Sequence, residues 1–157
     1  ATAMNAGMTA LELKDLDLAY APPYSSAKDP VNMAGFMIDN LEKGTLRQFF
    51  WDEVGELPDD GSVFLLDART PEEYARGHVN EFINIPLDEL RDRLGEIPAG
   101  KPVYVMCQSG LRSYLACRIL SQNHFDCYNF SGGYRLYETI YKDCVAAKQS
   151  YPCGMDK

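Results

Sequence analysis

The sequence has no apolar run approaching the ~20 residues that a membrane-spanning helix needs, and its first residues lack the basic-then-apolar layout of a secretory signal. Positive charge is scarce: 15 Lys and Arg stand against 23 Asp and Glu, for a net charge of −8. Such a surface repels nucleic acid and anionic membrane, so neither is expected as a partner. Histidine occurs only at His78 and His124. The five cysteines, Cys107, Cys117, Cys127, Cys144 and Cys153, include no pair two or four apart. That spacing does not make a zinc site, and an odd, irregular set is not a disulfide framework. No Gly-x-Gly-x-x-Gly run is present, so the chain builds no dinucleotide fold of its own. A reducing cytoplasm is the expected location.

What is present divides into two regions. A length of 157 residues suits one domain of ordinary size, or a small domain with an appendage. In residues 1–45, a short helix or strand is expected over 8–13, followed by a loop that Pro22 and Pro23 keep irregular. Asp29-Pro30 then makes a helix start, a capping carboxylate followed by proline at the first position. That helix should run through Val31, Met33, Phe36, Met37 and Leu41 and stop near Gly44. One such helix cannot bury a core by itself. The segment either docks on the domain C-terminal to it or ends a larger domain, and a start at Ala1 rather than methionine favours a fragment.

From residue 46 onward, short apolar runs alternate with helical stretches. Strands are expected at 63–66, 82–85, 103–106 and 127–130, and helices at 71–76, 87–94, 111–122 and 134–147. This alternation predicts an α/β fold, a mostly parallel sheet covered by helices on both faces. Catalytic loops in such folds sit at the carboxyl ends of strands.

One run occupies that position. Cys107-Gln108-Ser109-Gly110-Leu111-Arg112-Ser113 follows the strand-like Val103-Tyr104-Val105-Met106 and opens the helix-like stretch from Tyr114. The N–H groups and dipole of a helix N-terminus favour negative charge, and Arg112 adds a full positive one. Together they should hold the Cys107 sulfur as thiolate, the form that attacks. Gln108, Ser109, Gly110 and Leu111 would act mostly through backbone N–H groups. Gly110 allows a backbone angle that a Cβ would block, and Ser113 is expected to cap the helix. Arg112 either points into the loop or turns outward to a neighbouring carboxylate.

This run resembles the active-site loop of rhodanese-type sulfurtransferases. The resemblance continues through Leu65-Leu66-Asp67-Ala68-Arg69, Pro71-Glu72-Glu73-Tyr74, Gly77-His78-Val79, Ile83-Asn84-Ile85-Pro86 and Ser131-Gly132-Gly133-Tyr134, spanning roughly 46–140. It implies a rhodanese-like domain over 46–143, preceded by a helical and loop segment and followed by a tail over 144–157. It also implies that Cys107 takes a sulfane sulfur as a persulfide and passes it to a thiol, with Asp67 and Arg69 as the ion-paired scaffold beneath the loop. Four residues separate Cys107 from Arg112, where cysteine phosphatases use five. The shorter loop leaves room for one extra sulfur, whose charge would lie among the loop N–H groups. Gln108 stands where some thiosulfate-using relatives carry a basic residue, which favours persulfide donors over dianionic thiosulfate. His78 is expected to be structural, Cys117 to fill the core, and His124 to take a left-handed conformation at a helix end. Asn80-Glu81-Phe82 is bulkier than the small residues common at that place in the family.

A second resemblance covers Leu16 to Asn32, with Tyr20-Ala21-Pro22-Pro23-Tyr24 at its centre. It is similar to the C-terminal end of flavin-dependent pyridine nucleotide–disulfide oxidoreductases, nearest the coenzyme A-disulfide reductase branch, some of whose members carry a fused rhodanese domain. It implies that 1–45 is the tail of a dimerisation domain or a linker. Tyr20 and Tyr24 are then candidates for the partner subunit's thiol site, or simply pack in that domain. The full-length fusion would use FAD, NAD(P)H and coenzyme A, with no cofactor or metal in this chain. The implied partners are small sulfur donors, thiol acceptors and a flavin-dependent reductase domain, and a homodimer is left open. Two other functions stay in view: a catalytically quiet rhodanese-like binding module, and a phosphatase or arsenate-type enzyme, which the short loop opposes.

Overall fold

Runs of β-branched and apolar residues too continuous for alternate exposure suit strands buried on both faces, and here they pair into one parallel sheet. The computed structural model of the chain describes residues 2–19, 23 and 29–149, with side chains through 141. The strands are Gln48–Phe49 (β1), Phe64–Asp67 (β2), Ile83–Asn84 (β3), Val103–Met106 (β4) and Cys127–Phe130 (β5). Their order across the sheet is β1-β5-β4-β2-β3, every pair parallel. The helices are Thr2–Asn5 (α1), Pro30–Glu42 (α2), Pro71–Arg76 (α3), Leu111–Gln122 (α4) and Gly133–Gln149 (α5).

The period-2 alternation of strand side chains sorts the core into two layers. On one face Leu66, Val103, Val105 and Cys127 pack with Ala116, Cys117, Ile119 and Leu120 of α4 and with Ile85, Leu90 and Ile97. On the other, Leu65, Met106 and Phe130 pack with Phe49, Val54 and Phe82, joined by Tyr134 and Tyr137 of α5. This is the α/β architecture that the alternation of strands and helices predicts, helices on both faces of a parallel sheet. β4 lies in the interior of the sheet, between β5 and β2, and its carboxyl end delivers Cys107.

Two sequence expectations need correction. The stretch 87–94 forms successive turns, closed by bonds such as Leu90 N to Leu87 O at 3.3 Å and Asp92 N to Glu89 O at 3.0 Å, and ends in a 3₁₀ turn at Leu94–Glu96. Leu87, Leu90 and Leu94 still reach the core, so the apolar spacing is satisfied by turns instead of an α-helix. Strand β1 was not anticipated, because two residues are too few to carry a period.

The chain divides into two compact units, Ala1–Leu46 and Arg47–Lys157. Within the first, Asp29 Oδ1 accepts the Val31 N–H at 2.7 Å and Pro30 opens α2. The segment expected as helix or strand holds a 3₁₀ turn, Leu11–Asp15, that lies against α2. Asn32 Nδ2 donates to the carbonyls of Leu13 and Leu16, both at 3.0 Å, and Lys14 pairs with Asp39 at 3.0 Å. A Cβ on Gly35 would collide with the backbone nitrogen of Lys14. Tyr20 and Tyr24 lie outside the described residues.

Candidate active site

The turn from β4 into α4 wraps the Cys107 sulfur. Gly110 is the residue before the first turn of α4, and its φ of 105° and ψ of −18° suit glycine, which has no Cβ penalty there. In that conformation its N–H donates to Cys107 Sγ at 3.1 Å. Ser113 does not cap the helix as expected. It stands inside the first turn of α4, wholly buried, with Oγ 3.3 Å from Cys107 Sγ and 3.1 Å from the Gly110 carbonyl oxygen. A hydroxyl has one proton, so these two acceptors compete for it, and negative charge on sulfur draws it to sulfur. Cys107 itself has no exposed surface.

The loop carbonyls are held from the other side. Tyr134 N donates to Cys107 O at 2.8 Å and Arg135 N to Gln108 O at 3.1 Å. Both donors belong to the first turn of α5, whose N–H groups have no partner within the helix. Gly133 makes this approach possible. A Cβ there would lie 2.6 Å from both Cys107 O and Ser109 N, and its φ of 66° is left-handed. The run Ser131-Gly132-Gly133-Tyr134 gave a family match in the sequence. Its physical reason, a helix start pressed against the sulfur loop, required the structure.

Arg112 turns to a carboxylate: Nη1 donates to Glu73 Oε2 at 2.7 Å and Nη2 to Glu73 Oε1 at 2.8 Å. Glu73 also closes a capping box on α3, its Oε2 accepting the Thr70 N–H at 3.0 Å. The Arg112 guanidinium holds the Glu73 carboxyl down at about 2. Glu73 had no role assigned from sequence, since its partner lies 39 residues away and no local pattern marks such a pair.

Asp67 ends β2 and Arg69 lies just beyond it, both buried. Arg69 donates to Asp67 at 2.7–3.0 Å, to the Gly77 carbonyl at 2.8 Å, and to Gln108 Oε1 at 3.3 Å. Its guanidinium also lies 4.0 Å from the centre of the Tyr134 ring. The pair is therefore braced against the loop through Gln108. A cleft of about 320 Å³ opens beside it, lined by Arg69, Glu73, Arg76, Gly77, Gln108, Tyr134 and Glu138. Ser109 and Leu111 face solvent.

Asn129 was missed by the sequence reading. It is a buried polar residue in β5 whose Nδ2 lies 3.4 Å from the Gly110 carbonyl, while its Oδ1 has no hydrogen-bond partner among the described residues. A polar residue inside an otherwise apolar strand was the available signal, since buried polar groups need partners. Other residues sit apart from the sulfur. His78 stacks on Tyr74, ring centres 4.0 Å apart, and its Nδ1 lies 3.1 Å from the Tyr74 carbonyl. Cys117 is buried in α4, where the neighbouring Cys127 thiol and burial push its own thiol up. His124 and Glu81 take left-handed φ values of 64° and 69°. The Cys144 side chain and Cys153 lie outside the described residues. Among the described residues no cluster of His, Cys, Asp and Glu could hold a metal ion, and no helix is long and apolar enough to cross a membrane.

Comparison with known proteins places this geometry. The family model for the rhodanese-like domain matches residues 50–139. The crystal structure of reduced Bacillus anthracis CoADR-RHD superposes with a TM-score of 0.83 at 46% identity, covering 90% of this chain and 25% of that one. The NAD-dependent persulfide reductase from A. fulgidus gives a TM-score of 0.71 at 39% identity, over 87% of this chain and 24% of that one. A sulfurtransferase of Allochromatium vinosum is 34% identical over 89 residues, covering 57% of this chain and 77% of the relative. The chain thus spans about a quarter of the length of the two solved structures. With the family model covering more than half of its length, the chain belongs to the rhodanese-like family.

Proposed function

We propose that the chain is a sulfurtransferase that carries sulfane sulfur as a Cys107 persulfide, coupled in the full-length protein to a flavin-dependent disulfide or persulfide reductase. In the loading step the Cys107 thiolate attacks the outer sulfur of an organic persulfide R–S–SH. The new S–S bond forms on Cys107, the old one breaks, and R–S⁻ leaves. In the unloading step a second thiolate attacks that outer sulfur and Cys107 departs as thiolate. Neither step removes a proton from a hydroxyl, so no histidine base is required.

The observation that carries this reading is the pair of donors aimed at the Cys107 sulfur, Gly110 N–H at 3.1 Å and Ser113 Oγ at 3.3 Å. Hydrogen bonds to an anion are about twice as strong as neutral ones, so these donors suit the thiolate that attacks in the first step and leaves in the second. The neutral Gln108 and a cleft of about 320 Å³, roomy beside an inorganic anion, support low-molecular-weight persulfides over thiosulfate as donors. The two reductase structures covering most of this chain support the coupling. On this reading 1–45 is the tail of the reductase's dimerisation domain, bringing Tyr20 and Tyr24 to a partner subunit's thiol site, 46–143 is the sulfurtransferase domain, and 144–157 a tail. FAD, NAD(P)H and coenzyme A would be bound by the reductase part.

The test is intact mass before and after exposure to glutathione persulfide, and separately to thiosulfate, for the wild type and Cys107→Ser. The expected result is a gain of one sulfur, absent in Cys107→Ser and reversed by dithiothreitol. No gain from either donor would leave the chain as a quiet binding module.

A further inference from the structure

Arg112 is the only full positive charge in the loop from Cys107 to Ser113, and both of its terminal nitrogens are committed to Glu73, at 2.7 and 2.8 Å. Glu73 is itself fixed, because its Oε2 accepts the Thr70 N–H as part of the α3 capping box. The carboxylate is thus anchored on one element and the guanidinium is drawn to it from another. The donors that reach Cys107 Sγ, Gly110 N–H and Ser113 Oγ, are both uncharged. Two further pairs of opposite charge lie close by. Asp67 neutralises Arg69 at 2.7 Å, and the cleft offers Arg76 and Glu138.

We propose that Glu73 determines donor specificity: by holding Arg112 it keeps the sulfur loop without net positive charge. The loop then favours donors with an organic group beside the sulfane sulfur over the thiosulfate dianion, which has a sulfonate there. This rests on the sulfurtransferase reading above. Thiosulfate loading would run as attack by the Cys107 thiolate on the outer sulfur, leaving the cysteine persulfide anion and releasing sulfite, with total charge unchanged. The two charges of thiosulfate approach a thiolate in that step, and a cation at the loop would offset their repulsion beyond what the uncharged N–H and hydroxyl donors supply. Opposite charges a few ångströms apart near a protein surface attract strongly enough to change a rate about tenfold. Releasing Arg112 therefore has enough energy behind it to change the preference.

The experiment measures second-order loading of Cys107 by quenched intact mass with thiosulfate and with glutathione persulfide, and reads the ratio of the two rate constants. Glu73→Gln keeps a residue type suited to the capping box and frees Arg112. The thiosulfate-to-persulfide ratio should rise about tenfold, a value discounted for the partial exposure of the pair. Inhibition by sulfate should strengthen in parallel, a change that mere loosening of the loop would not produce. The double substitution Glu73→Gln, Arg112→Gln should return the ratio to the wild-type value, because the gain travels through Arg112. Glu73→Asp, whose shorter side chain weakens the paired contact, should give a partial rise and serves if Glu73→Gln fails to fold. An unchanged or lowered ratio in variants that still load Cys107 overturns the role of Glu73 and leaves the sulfurtransferase reading standing. Wild-type protein that loads from neither donor overturns both.

Discussion

Replacing Gly133 with alanine should disable the loop while the same change at Gly132 should not, although the two residues are adjacent and both left-handed, with φ of 66° and 87°. The conformational cost is shared: forcing an L-residue into this region costs about 1–2 kcal/mol. The contacts differ. At Gly132 the new methyl meets Leu136, whose Cδ2 can rotate away because the residue is 41% exposed, while its Cβ at 3.0 Å must give by only a few tenths of an ångström. At Gly133 it meets backbone, with Cys107 O and Ser109 N at 2.6 Å and Gln108 C at 2.7 Å. Ordinary contact begins near 3.5 Å, so the loop and the start of α5 must separate by roughly 0.9 Å. That movement weakens the bonds from Tyr134 N to Cys107 O and Arg135 N to Gln108 O. A loss of about 2–4 kcal/mol is expected at Gly133 against about 1–2 at Gly132. A misplacement near 1 Å also costs on the order of 100-fold in rate. Urea denaturation supplies the stabilities, and sulfur loading of Cys107 followed by intact mass supplies the rates. Gly133→Ala protein that loads at the wild-type rate would refute the claim that the α5 start sets the loop geometry.

Further substitutions probe the pairs and turns around the site. Asp67→Asn or Arg69→Leu leaves one charge of a buried pair uncompensated, which should lower stability by about 3–5 kcal/mol in denaturant titrations. Replacing both residues with apolar ones should cost less than the worse single change. Glu73 has its folded value held at about 2 by Arg112, below the unfolded carboxylate value, so its contribution is complete above about pH 4.5 and is lost as pH falls toward 2. Discounted for partial exposure, it amounts to about 1–2 kcal/mol, and the stability gap between wild type and Glu73→Gln should shrink over that window in urea melts. His124→Gly should stabilise the domain by about 0.5–1 kcal/mol, since φ is 64° and glycine removes the Cβ penalty. An unchanged thermal midpoint would contradict it.

Elements with strong local patterns were legible in the sequence. β4 and α4 occupy the predicted residues because an apolar run followed by a glycine-containing turn and a helical pattern specifies them locally. The same holds for α3, which occupies the predicted residues 71–76 and opens on Pro71. The turns over 87–94 were misread because leucines spaced three and four apart satisfy either a helix or successive turns. Cys107 was visible as the centre of a loop. The residues that shape that loop were not, since Glu73, Asn129 and Gly133 act through contacts between elements distant in sequence. Ser113 was misassigned for the opposite reason: a serine near a helix start reads as a cap, and only the depth of burial reveals that its hydroxyl faces sulfur.

The strand order has a consequence for amide hydrogen exchange. β4, flanked by β5 and β2, has hydrogen-bonded neighbours on both edges, whereas β1 and β3 are edge strands of two residues each. Opening should therefore spread inward from the edges, with the amides of β4 and the first turns of α4 exchanging only when the whole domain unfolds. Cys107, wholly buried at the end of β4, shares that protection. Its exposure to bulk oxidants through unfolding is set by the global stability, so substitutions far from the loop that weaken the core should raise the rate at which Cys107 is irreversibly oxidised through the unfolded state.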